Sequence, residues 1–257
     1  MSGSMAALLR KEWREARWRL VVATVLLAAT GASLGPLFDV LGDYMGLLGQ
    51  LRLPGWIMDT MAHQMANYLV YLWSNWYGKN LLQLVAILAA IYGAGLVAGE
   101  VARRTSAVLF SRPVSRGQVL LAKYLVNLLV LALAALAGTL AVIAGGQLSG
   151  HTVPVLTLLK GLPATLAGTA LLLALATMLS VGSDDPTKVM GVALLALVGI
   201  YAAGSWAPLR RLSLFAHMAA GATLRTGRVD WPAVLAMSAV AIGLFAAAAA
   251  WLERQEL

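Results

Sequence analysis

The sequence predicts an all-α integral membrane protein: an N-terminal amphipathic interfacial helix, then six transmembrane helices, with both termini cytoplasmic. Three observations predict it. The chain of 257 residues is 60% hydrophobic and 12% charged with a mean hydropathy of +0.80, where soluble domains carry about 25% charged residues. Charge-free windows cover 20–38, 80–99, 124–159, 161–183, 189–209 and 231–252, and five of the six are close to the ~20 residues that cross ~30 Å of hydrocarbon. Alternate connections differ in Lys and Arg: one face receives 12 and the other 7, which puts the richer face, with both termini, in the cytoplasm. Arg210, Arg211, Arg225 and Arg228, between the fifth and sixth spans, oppose that rule.

Residues 4–19 have Met5, Leu8, Leu9, Trp13, Ala16 and Leu20 on one helical face and Arg10, Lys11, Arg14 and Arg17 on the other. Such a helix lies in the membrane interface, apolar side in lipid and basic side toward anionic headgroups. The basic start is long and Leu20–Phe38 offers no clear cleavage site, so no cleavable signal is expected. The first span (20–38) carries Gly31 and Gly35, and the second (78–100) Gly95 and Gly99; small-xxx-small pairs allow close helix approach, within one chain or at a seam between subunits.

The 39–79 loop is rich in Tyr and Trp, as at a membrane–water interface, and the apolar spacing from Met58 to Trp76 suits a surface helix. Met61, His63 and Met65 include soft copper ligands, but residues two apart on a helix diverge, so apolar packing is the simpler reading. The 36-residue window is about 54 Å as a helix, too long for one crossing. Gly145, Gly146 and Pro154 are read as its break, leaving a third span over 119–143. His151 follows as an ordinary loop residue. The fourth and fifth spans (161–181 and 188–207) are joined by GSDDPTK, where Asp184 or Asp185 caps the fifth helix with Pro186 in its first turn. The sixth span covers 232–252. The whole is one domain, 1–257.

The segment 101–118 stands apart. Glu100 closes a charge-free run, and Arg103, Arg104, Arg112, Arg116 and Lys123 follow. Pro113 ends any helix entering it, while Ser115 and Gln118 have capping-box spacing for a new one. A short helix, a break and a fresh helix between two spans form a lever able to pass force from a docked partner.

GEVARRTSAVLFSRPVSRGQVLLAKYL also resembles the loop between the second and third spans of type-2 ABC transporter permeases. The match is carried by Glu100, Thr105, Leu109, Ser111, Pro113, Val114, Ser115 and Arg116, with Arg104 where many members have Gly. The terminal LERQEL is similar to the family's charged tail. The resemblance implies a coupling surface for a cytoplasmic ATPase dimer made by Glu100, Arg103, Arg104, Thr105, Leu109, Phe110, Ser111, Arg112, Pro113, Val114, Ser115 and Arg116, with a smaller contact at Asp184 and Asp185. It implies a pathway formed with a second copy or a paralogous permease, export as the direction, and a bacterial or archaeal cytoplasmic membrane. ATP and Mg would be bound by the partner, with no cofactor or metal on this chain.

The sequence has no Gly-x-x-x-x-Gly-Lys-Ser/Thr phosphate loop, so this chain is not the motor. Absent Cys removes disulfides and thiolate metal sites. Three His and no His-Glu-x-x-His string argue against an intramembrane enzyme. Nucleic-acid binding lacks a basic, aromatic-interleaved soluble domain. An ion- or proton-coupled carrier, which normally keeps ionisable groups at mid-membrane, and a non-transporting regulatory subunit remain the alternatives. Asn80, Gln83, Thr139, Thr169 and Thr177 are the polar candidates along a pathway, suited to amphipathic or hydrophobic cargo.

Overall fold

A computed structural model describes residues 2–48, 54–56, 59, 63, 65, 67–102 and 115–254, and among them all regular structure is helical. The first helix, α1, runs unbroken from Ser2 to Leu48, about 70 Å at 1.5 Å per residue. Residues 4–19 are therefore its first turns rather than a separate element. Part of their apolar face packs on the chain itself, Leu8 against Val119 and Ala122 with Met5 and Leu9 partly buried beside it. Nor does the helix end at Phe38. Pro36 sits inside it and withholds a hydrogen bond from the Ala32 carbonyl, and that carbonyl lies against Gly145.

Asn67 starts the next helix. Its backbone is extended (φ −147°, ψ 123°) and its side chain accepts from the Leu69 amide at 2.8 Å. The surface helix expected over 58–76 is thus interrupted at Asn67. Met58 and Met61 lie outside the described residues, and Met65 packs against the core. Helix α2 (Tyr68–Asn75) passes through one π turn (Trp76–Asn80) into α3 (Leu81–Ala94). The wide turn directs Trp76 and Tyr77 fully inward, where the indole donates to Thr139 Oγ1 at 3.0 Å and the phenol to the Leu158 carbonyl. The chain then breaks at Gly95–Val97 and restarts as α4 (Ala98–Ala102), so the single helix expected over 78–100 is two.

Ser115 caps α5 (Arg116–Leu148), accepting from the Gln118 amide at 3.3 Å. Gly145 and Gly146 do not break it; they let it approach Ala32 and Tyr68. A short α6 (Val155–Leu159) leads to α7 (Leu162–Val181). Asp185 caps α8 (Pro186–Ser205), accepting from Thr187 and Lys188 amides at 2.8 and 3.3 Å. A 3₁₀ turn (Ala207–Leu212), α9 (Leu214–Met218) and α10 (Gly221–Thr226) precede α11 (Trp231–Arg254).

Five helical segments among the described residues are long and apolar enough to cross a membrane: Met5–Tyr44, Arg116–Leu148, Val155–Val181, Pro186–Ser205 and Trp231–Arg254. The helical run from Tyr68 to Ala94 spans about 40 Å and returns from the Thr139 end of α5 to its Lys123 end.

Helices α1 and α5 run parallel and pack most extensively, and α7 is the core helix, touching α3, α5, α8, α9 and α11. A Cβ on Gly31 would collide with the Gly138 carbonyl, and one on Gly35 with Gly145, so the Gly31–Gly35 pair serves close packing inside the chain. The Gly95–Gly99 pair does not, since nothing lies within 4 Å of a Cβ on Gly99. Glu253, near the end of α11, lies over Gly117 at the start of α5, so the two ends of the described chain share one end of the bundle.

Candidate functional site

At that shared end, three elements distant in sequence meet on one cation. Lys123 stands two turns into α5, and its ammonium lies 2.8 Å from Glu100 Oε1 of α4 and 3.3 Å from Glu12 Oε2 of α1. The side chains are 8%, 19% and 4% exposed respectively, so the group is largely cut off from water. Lys11 lies 3.6 Å from Glu12 Oε1 and 3.4 Å from Glu15. One turn on, Arg19 donates to Asn127 Oδ1 at 2.7 Å, while the Asn127 amide group returns to the Lys123 carbonyl at 2.8 Å. Tyr92 of α3 donates to the Arg19 carbonyl at 3.0 Å with the guanidinium 6.0 Å from its ring centroid. A buried, charge-assisted network of this kind fixes the relative positions of its helices, since each member is costly to leave unpaired.

The backbone supports the geometry. Where the second helical run breaks, Ser180 of α7 accepts from the Val97 and Ala98 amides, both at 3.0 Å, and donates to the Ala94 carbonyl at 2.8 Å. One buried hydroxyl thus satisfies the groups orphaned by the break and sets the direction of α4, and so of Glu100. Ser180 sits near the end of α7, five residues before Asp185. A cavity of about 400 Å³ bordered by Glu12, Arg19, Tyr92, Glu100, Lys123 and Pro186 joins the network to the α7–α8 turn.

Of the residues expected at a coupling surface, the structure brings Glu100 into this cluster and places Ser115 and Arg116 at the first turn of α5. Asp185 caps α8 beside the same cavity, and Asp184 is exposed. Arg103, Arg104, Thr105, Leu109, Phe110, Ser111, Arg112, Pro113 and Val114 lie outside the described residues. Of the polar pathway candidates, Gln83 is exposed and Asn80 half-buried, whereas Thr139, Thr169 and Thr177 are fully buried. Their hydroxyls donate to the carbonyls of Ala135, Thr165 and Leu173, one turn back in their own helices.

No sequence motif marks Glu12, Asn127 or Ser180, and Lys123 stands out there only as one of the charges that follow Glu100. For Glu12 the spacing does carry a signal: Leu8, Glu12 and Ala16 share one stripe at four-residue spacing, and a carboxylate on an apolar stripe needs a buried partner.

A family model described as ABC-2 family transporter protein matches residues 6–257. This chain belongs to that family. No curated protein matches it. As an ABC-2 permease it is a multi-pass membrane transport subunit, and the cluster joins this permease's α1 to α4 and α5, the helices on either side of the coupling segment read from the sequence.

Proposed function

We propose that this ABC-2 permease is the membrane half of an ATP-driven exporter. Two copies, or this chain and a paralogue, enclose the pathway, and a dimer of cytoplasmic ATPase subunits holds ATP and Mg and supplies the power. The chain crosses the membrane six times, the run 68–94 being the second crossing, with both termini and 101–118 in the cytoplasm of a bacterium or archaeon.

The observation that carries the reading is the buried Glu12–Lys123–Glu100 contact. It clamps α1 to the two helices that flank 101–118, so displacement of that segment is passed to the longest helix rather than dissipated in a loop. Arg103 to Arg116, with Glu100, form the main docking surface and Asp184 and Asp185 the smaller one. Between the two, the Ser180 bridge links the α7–α8 end to α4. Gln83 and Asn80 are the favoured pathway positions of the five, because the three threonines reach a pathway only if their helices separate. The charge-free spans fit amphipathic or hydrophobic cargo.

Purification from native membranes with a mild detergent tests the reading. The permease is expected to bring down an ATPase whose hydrolysis rate changes on binding, and Arg112→Ala/Arg116→Ala is expected to weaken that association. Transport by the purified chain from an ion gradient, with no nucleotide hydrolysed, would refute it.

A further inference from the structure

The four arginines between the fifth and sixth spans oppose the charge bias of the rest of the chain, and the structure gathers three of them around one cavity. Three of them, Arg210, Arg211 and Arg225, line a cavity of about 430 Å³ together with His217 and Asp230. Arg228 is not in its wall. The cavity lies at the end of the bundle away from Lys123: the Met218 and Ala219 carbonyls beside it accept from Thr165 and Trp73, and Lys160 donates to the Gly227 carbonyl.

The walls are built from anchored backbone. Phe215 and Met218 are buried, with Met218 against Gly168 of α7. The His217 ring donates from Nε2 to the Arg211 carbonyl at 3.0 Å. Ala220 is held at φ 51°, a left-handed conformation that costs free energy in a residue with a Cβ. The single carboxylate is engaged in capping α11, Asp230 Oδ1 accepting from the Ala233 amide at 3.4 Å. Among the described residues none of the three guanidinium groups forms an ion pair. Three exposed arginines bordering one cavity concentrate positive charge there, and guanidinium forks match the geometry of phosphate oxygens.

Depth identifies the occupant. Trp206, 65% exposed, and Trp231, 57% exposed, bracket the segment in sequence, with Leu212 also turned outward. Indole rings settle at headgroup level, which is where lipid phosphates are. We propose that this cavity binds the phosphate of an anionic phospholipid, with Arg210, Arg211 and Arg225 as its ligands. The proposal requires the chain to be membrane-embedded; it does not depend on an ATPase partner or on which end faces the cytoplasm, so it can fail while the transport reading stands.

The test uses the full chain in nanodiscs of phosphatidylcholine containing spin-labelled phosphatidylglycerol or spin-labelled phosphatidylcholine. The wild type is expected to immobilise phosphatidylglycerol in preference to phosphatidylcholine. Each of Arg210→Gln, Arg211→Gln and Arg225→Gln is expected to lower that preference about fivefold, and Arg228→Gln to leave it unchanged. Where one of the three fails to fold, the other two carry the comparison with Arg228→Gln. Equal immobilisation of the two lipids, equal loss in Arg228→Gln, or displacement of the lipid by inorganic phosphate would each overturn the proposal, the last by revealing a soluble-phosphate site.

Discussion

Replacing Lys123 by Met keeps the length of the side chain and removes its charge. The ammonium faces carboxylates at 2.8 and 3.3 Å, gross attractions of about 6 and 5 kcal/mol at an effective dielectric of about 20, much of which offsets the desolvation of three charges. Removing only the cation leaves two carboxylates without their shared partner, Glu12 at 4% and Glu100 at 19% side-chain exposure. A broken buried pair costs about 3–5 kcal/mol, and the partial exposure of Glu100 argues for the lower half of that range. For a chain of this size the melting temperature should fall on the order of 10 °C. The triple variant Glu12→Gln/Glu100→Gln/Lys123→Met removes all three charges of the cluster together and should recover most of the loss. Melting can be followed by intrinsic Trp fluorescence in detergent, and ATPase stimulation measured alongside. Recovered stability without recovered stimulation in the triple variant is the expected pattern, because packing is restored while the ionic link is not. If Lys123→Met melted with the wild type, or the triple variant were worse than the single, the cluster would not be holding these helices together.

Three further outcomes follow from the same geometry. Ser180→Ala strips the acceptor from two buried amides and should cost on the order of 2 kcal/mol, with reduced ATPase coupling even at temperatures where the protein is folded. Gly31→Val drives a side chain into the Gly138 carbonyl and should destabilise by at least about 1–3 kcal/mol, whereas Gly99→Ala, with open space around it, should stay within about 0.5 kcal/mol in the same melt. Because the chain has no Cys, Thr187→Cys and Thr152→Cys give clean labelling sites: an impermeant maleimide on intact cells should modify Cys at 152 and spare Cys at 187, and the reverse pattern would invert the topology.

The parts of the structure legible in the sequence are those set by local chemistry. Charge-free windows found the apolar helices, Ser115 and Asp185 cap the helices they were read to cap, and Pro186 stands at a first turn as its missing amide allows. The misreadings share a different cause. Gly145 and Gly146 are breakers in water but packing positions between helices, where a neighbouring backbone or ring fills the space they leave. Lys123 looked like a juxtamembrane charge because its partners are 23 and 111 residues away, a separation no local pattern encodes. His151, read as an ordinary loop residue, lies 2.7 Å from Asp39 and stacks on Tyr68 at 4.1 Å, again through residues remote in the chain.

Helix α1 is held toward both ends, by Lys123 at Glu12 and by His151 at Asp39, with close approaches to α5 at Gly31 and Gly35 between them. Nineteen residues separate Glu12 from Gly31 and eight separate Gly31 from Asp39, about 28 and 12 Å along the helix. A stiff helix gripped at two points about 40 Å apart carries a displacement imposed at Glu12, such as the proposed drive would supply, on to Asp39 instead of absorbing it along the way.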